Sequence, residues 1–96
     1  MSKQKIELPD DLTISFLATF KNDVVPLIAN SNDITVVDKS LQKIDTAGVQ
    51  LLLALINEII TQKKSLSWKM SSSVLKESIK QLGLENSDFK KYFQNK

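Results

Sequence analysis

The sequence predicts an α/β fold in one small domain spanning residues 1–96. Three observations predict it. Apolar spacing switches repeatedly between the two-residue period of strands and the 3.6-residue period of helices, as in strands joined by helical crossovers with right-handed connections. Turn and cap residues (Pro9-Asp10-Asp11, Asn30 to Asp33, Ser71 to Ser73, Gly83) fall between the periodic runs. Composition is globular, with 42% apolar and 25% charged residues in 96, enough to bury a core without staples. No repeat or low-complexity linker divides the chain.

Lys5 to Leu8 reads as a short strand, stopped by Pro9-Asp10-Asp11. Leu12-Thr-Ile-Ser-Phe16 alternates apolar and polar, as a half-buried strand does. Pro-Asp-Asp is a turn signal, so the two are expected to form a hairpin. Phe20, Val24, Leu27 and Ile28 then recur at helical spacing. With Asn22 as cap, a short helix from about Asp23 to Asn30 leaves Pro26 in the first turn, where its missing N–H costs little. The β-branched run Ile34-Thr-Val-Val37 reads as a buried central strand.

A long helix is expected from Asp45 to Gln62, ending at Lys63-Lys64, where cations suit the dipole. Asp45 or Thr46 is its cap, since a short oxygen-bearing side chain accepts from the free N–H groups of the first turn. Those N–H groups and the dipole also suit a negative charge. At about 100° per residue, Val49, Leu52, Leu53, Ile56 and Ile60 form a core stripe. Ala47, Leu51, Ala54 and Leu55 fall largely on the other side, either as a contact surface or covered by another helix.

Leu66 to Met70 alternates again, with Leu66, Trp68 and Met70 on one face. Ser71 to Ser73 offers caps for a helix holding Val74, Leu75, Ile79 and Leu82, which Gly83 ends by taking the left-handed conformation. Asn86-Ser87 can cap a last short helix, Asp88 to Phe93, placing Phe89, Tyr92 and Phe93 against the sheet; Gln94 to Lys96 is expected to fray.

Much chemistry is excluded by what is missing. There is no Cys and no His, hence no disulfide framework, no thiolate and none of the commonest general base and metal ligand. Two glycines, Gly48 and Gly83, cannot build a phosphate loop. No acidic cluster has metal-ligand spacing. Ser73-Val-Leu-Lys76 matches a nucleophile pattern only at an ordinary helix start. A net charge of +2 does not argue for nucleic acid. The first residues lack an apolar signal core, and no run approaches the roughly 20 residues that span a bilayer. The expectation is a cytoplasmic, non-enzymatic protein with no cofactor, no metal and no direct membrane insertion.

The run Asp38-x-Ser40-Leu41-x-x-Ile44-Asp45-Thr46-Ala47-Gly48-Val49-x-Leu51-Leu52 resembles the signature of the STAS domain (sulfate transporter and anti-sigma factor antagonist). That pattern is a strand ending in Asp, a nearby Ser, then Asp-Ser-Ser-Gly or Asp-Thr-x-Gly opening a helix. The order of strands and helices from Lys5 onward is also similar, as are Trp68, Ser72, Leu75 and Leu82-Gly83-Leu84, so the resemblance covers nearly the whole chain. It implies a mostly parallel or mixed sheet of four to five strands with helices mainly on one face.

The resemblance further implies a protein-binding regulatory module, like the small stand-alone anti-sigma factor antagonists. Those capture a kinase-type anti-sigma factor that phosphorylates a Ser of the motif, usually the second Ser of Asp-Ser-Ser-Gly. Here Ala47 stands at that position and Thr46 at the first, which makes Thr46 the phosphorylation candidate. Asp45, Thr46, Ala47, Gly48, Leu51, Leu55 and Ser40 are the implied partner-binding residues; the plainer reading of Thr46 is a helix cap. The same motif is similar to STAS subunits of bacterial phospholipid-transport ABC complexes, which dock on an ATPase, and to STAS adaptors encoded with chemotaxis components. Nucleotide binding, suggested for some members, is disfavoured by the lack of a phosphate loop or a basic cluster near Asp45.

Overall fold

A computed structural model describes residues 3–92, and these form a small α/β unit of parallel strands and three α-helices. In order they are β1 (Lys3–Glu7), β2 (Asp11–Leu12), α1 (Leu17–Ala29), β3 (Asp33–Val37), β4 (Lys43–Ile44), α2 (Thr46–Thr61), β5 (Ser65–Trp68), α3 (Ser73–Gln81) and a 3₁₀ turn at Asp88–Lys91. A three-stranded sheet runs β1-β3-β5 with β3 central, as its β-branched run predicts, and β2 and β4 make a separate two-stranded ladder. The single sheet of four to five strands is therefore corrected to three plus two.

Register sorts the strand side chains. Ile6, Val36 and Trp68 are side by side across the three strands, as are Gln4, Ile34 and Leu66. Ile6, Ile34, Val36 and Trp68 are buried, while the intervening row of Lys5, Thr35 and Ser67 is exposed. One face thus carries the core and the other meets solvent. Leu52, Ile56 and Ile59 of α2, Phe20, Val24 and Ile28 of α1, and Leu75 and Ile79 of α3 complete that core. Burying each such side chain fully contributes about 1.5–3 kcal/mol. Phe89 and Tyr92 close it against Trp68, at ring-centroid separations of 6.3 Å (edge-on) and 6.2 Å (stacked). The expected packing of Phe93 and fraying of Gln94 to Lys96 lie outside the described residues.

Four further expectations are corrected. The hairpin is absent: β1 pairs with β3 and β2 with β4, both parallel. The second strand stops at Leu12, because the Asp11 carboxylate accepts from the Thr13 N–H (3.1 Å) and hydroxyl (2.7 Å) and turns the chain. The first helix starts at Leu17 rather than Asp23, leaving Pro26 well inside it. Asn22 and Pro26 are both exposed, so water can take up the carbonyl that proline leaves unbonded. Finally, α2 buries Ile59 and not Ile60; Lys64 follows the helix, its N–H donating to the Ile59 carbonyl at 3.1 Å. The Lys64 ammonium donates to the Ile28 and Ala29 carbonyls at the end of α1.

The other helix ends follow the sequence. Ser72 accepts from Leu75 N–H at 3.1 Å to start α3. Gly83, at φ +70°, ends it, and Leu84 N–H reaches back to the Ile79 carbonyl at 3.0 Å.

Candidate functional site

The start of α2 is built from three segments. The Gln42 and Lys43 N–H groups both donate to the Asp10 carbonyl, at 2.8 and 2.9 Å, which leads into the β2–β4 ladder. That ladder sets Leu12 against the first turn of α2. The approach is so close that a Cβ on Gly48 would lie 2.1 Å from the Leu12 carbonyl oxygen and 2.8 Å from Ile44 Cγ1. Glycine is thus required here by space, not by backbone conformation.

Asp45 is the cap, in an extended conformation at φ −119° and ψ −177°. Its Oδ1 accepts from Gly48 N–H at 3.0 Å, closing the first turn. Its Oδ2 accepts from Ile14 N–H at 3.0 Å, across 31 positions of sequence. One carboxylate thus fixes the helix start and the Thr13–Phe16 turn relative to each other. These two backbone donors, Ile14 first and Gly48 second, hold the Asp45 carboxyl below its ordinary value of 3.8 by favouring the charged form.

Around this pivot, Thr46 is exposed and Ala47 half-buried. Leu51 and Leu55 are half-buried and packed against the core; Leu55 also lines an interior gap shared with Leu52, Ile56 and Trp68. Neither is among the exposed large apolar side chains. The bare one tied to the motif is Ile14, 70% exposed, followed two residues on by Phe16 at 51%. Ser40 is exposed in the turn after Asp38, and the hydrogen bonds that build the α2 start do not run through it.

Ile14 escapes a reading by periodicity, because Leu12, Ile14 and Phe16 look like one face of a strand. The signal against that strand is local: Asp11 two residues before Thr13 is an Asx-turn pair. Among the described residues no three His, Cys, Asp or Glu side chains gather as metal ligands. No helix among them is long and apolar enough to cross a membrane. In comparison with known proteins, no family model, no curated protein and no solved structure significantly matches this chain.

Proposed function

We propose that the chain is a STAS-like, non-enzymatic regulatory module that captures a protein partner at the α2 start, in the manner of an anti-sigma factor antagonist. The observation that carries the reading is the Asp45 bridge. It holds an exposed Thr hydroxyl and an exposed Ile14 in a fixed relation at the N-terminal end of a 16-residue helix. A rigid apolar anchor beside a polar group loses little side-chain entropy on docking. Asp45 and Thr46 form the polar part of this surface, with Ala47 half-buried beside them and Gly48 buried beneath; Ile14 is its apolar anchor, Leu51 and Leu55 support it from the half-buried flank, and Ser40 lies at its periphery.

Thr46 is the switch in this reading. The partner is a serine-kinase-like anti-sigma factor whose ATP supplies the phosphoryl group: the Thr46 hydroxyl oxygen bonds to the γ-phosphorus, ADP leaves, and a base of the partner takes the proton. The product adds about −1.5 to −2 charge next to Asp45 and Ile14. The helix N-terminus tolerates it, but an apolar contact closed over it does not, because burying an unpaired charge is costly.

Affinity capture from the native cytosol tests this, with the protein and its Ile14→Asp, Thr46→Glu and Val25→Asp variants as baits. One partner should bind the wild type and Val25→Asp, whose substitution is on an exposed α1 position, and be lost from the other two. Equal capture by all four baits defeats the reading. Capture of an ABC-type ATPase subunit turns it toward the lipid-transport alternative.

A further inference from the structure

The edge of β1 is the second feature that points outward. β1 pairs with β3 on one side, and among the described residues no strand covers the other. A groove of about 360 Å³ runs between that edge and α1. Ile6, Phe20 and Val24 give it an apolar floor, while Glu7, Asp10 and Asp23 line it with negative charge against the cation of Lys5.

The free backbone groups can be assigned. Leu8 N–H donates to the Val37 carbonyl at 2.9 Å, toward β3. Alternation then turns the N–H and C=O groups of Ile6 inward as well, and those of Lys5 and Glu7 outward. The next outward position is Pro9, which has no N–H and ends the free ladder.

We propose that this edge pairs antiparallel with the same edge of a second copy of the chain, joining two sheets across a two-fold axis. The strand is self-complementary in one register. With Ile6 opposite Ile6, each Lys5 faces Glu7 of the second copy, and these outward-pointing residues are the ones able to exchange backbone hydrogen bonds. Lys and Glu meet on the solvent face, where Lys5 and Glu7 of one chain already lie 3.5 Å apart. Lys3 falls opposite Pro9 of the second copy, one residue from Asp10, so the remaining cation of each strand meets the acidic groove of the other. A register centred on Lys5 sets two ammonium groups against each other, and a one-residue slip of one strand puts Ile6 on the wrong face. Edge strands are often kept apart by charged side chains, Lys above all; alternating signs on β1 attract their own copy instead.

Equilibrium sedimentation of the full chain up to about 100 μM tests it, a range that reveals weak interfaces. The wild type should show a monomer–dimer equilibrium. Glu7→Lys turns both cross-strand pairs into Lys–Lys and should weaken dimerisation roughly tenfold or more, while the swap Lys5→Glu/Glu7→Lys restores it. Both substituted positions are exposed, and circular dichroism verifies folding. A monomer throughout the range overturns the proposal, as does a dimer indifferent to Glu7→Lys. A monomer whose Lys5 and Glu7 amides shift only on adding a lysine-rich extended peptide overturns it in favour of a foreign strand.

Discussion

Asp38 and Asp45 flank the segment that carries β4 and do opposite work with the same side chain. Asp38 is 1% exposed. Its carboxyl accepts from Trp68 Nε1–H at 3.2 Å, from Ser71 N–H at 3.1 Å and from the Ser71 hydroxyl at 2.7 Å. It therefore ties the end of β3 to β5 and to the lead-in of α3. Asp45 lies at the surface and ties the start of α2 to the Thr13–Phe16 turn. Burial separates the roles. A buried acceptor is indispensable where its donor is buried too, as the Trp68 N–H is, because that donor has no water to turn to; a surface acceptor is replaceable in energy but not in the shape it imposes.

The largest expected effect is at Asp38. Asp38→Ala strips the buried Trp68 N–H and the Ser71 N–H of their acceptor at once, and should cost about 3 kcal/mol. In a domain of this size that lowers Tm by on the order of 15 °C. Asp38→Asn keeps one acceptor oxygen and should lose less. Thermal unfolding followed by circular dichroism decides it; equal, small losses for both variants would mean the network is not what holds β5 to β3.

Next is Gly48, where the sign is the test. Gly→Ala inside a helix normally stabilises by about 1 kcal/mol. Here the new Cβ meets the Leu12 carbonyl at 2.1 Å, and backbone cannot swing aside as a side chain can. Gly48→Ala should destabilise by about 2 kcal/mol. Since the shift also stretches the Asp45–Gly48 bond, Gly48→Ala and Asp45→Ala should combine non-additively in a double-mutant cycle. A stabilised Gly48→Ala would show that the β2–β4 ladder is loose against α2.

The contrast between the two aspartates also marks what the sequence discloses. Asp45, Ser72 and Gly83 are legible because capping and helix termination depend on a few neighbouring residues. The Ile34–Val37 run is legible because β-branched residues bounded by loops admit little else. Parallel pairing is not local, so the turn at Pro9 to Asp11 announces a change of direction without naming the partner of β2. The start of α1 has no side-chain cap at Phe16, and nothing marks it. Ile59 and Ile60 are adjacent, and periodicity cannot choose between them; the neighbouring elements do. At the candidate site, the Asp45 to Gly48 motif is readable, whereas Ile14 joins it only through a bond from a distant turn.

The smallest effect is at Asp45, and pH isolates it. Its carboxyl titrates below the ordinary value of 3.8 in the folded protein because the Ile14 and Gly48 N–H groups favour the charged form. The unfolded chain therefore binds this proton more readily, and the stabilisation from Asp45 is complete above the unfolded value and lost as pH falls through the folded one. Asn also caps helices well, so Asp45→Asn removes the charge while keeping an acceptor for Gly48. Near neutral pH it should lower Tm by less than Gly48→Ala does. The gap to wild type should then close between about pH 5 and the folded value. If the Asp45→Asn gap is constant with pH, the bond to Ile14 does not depend on charge, and the turn carrying Ile14 is held by β2–β4 pairing alone.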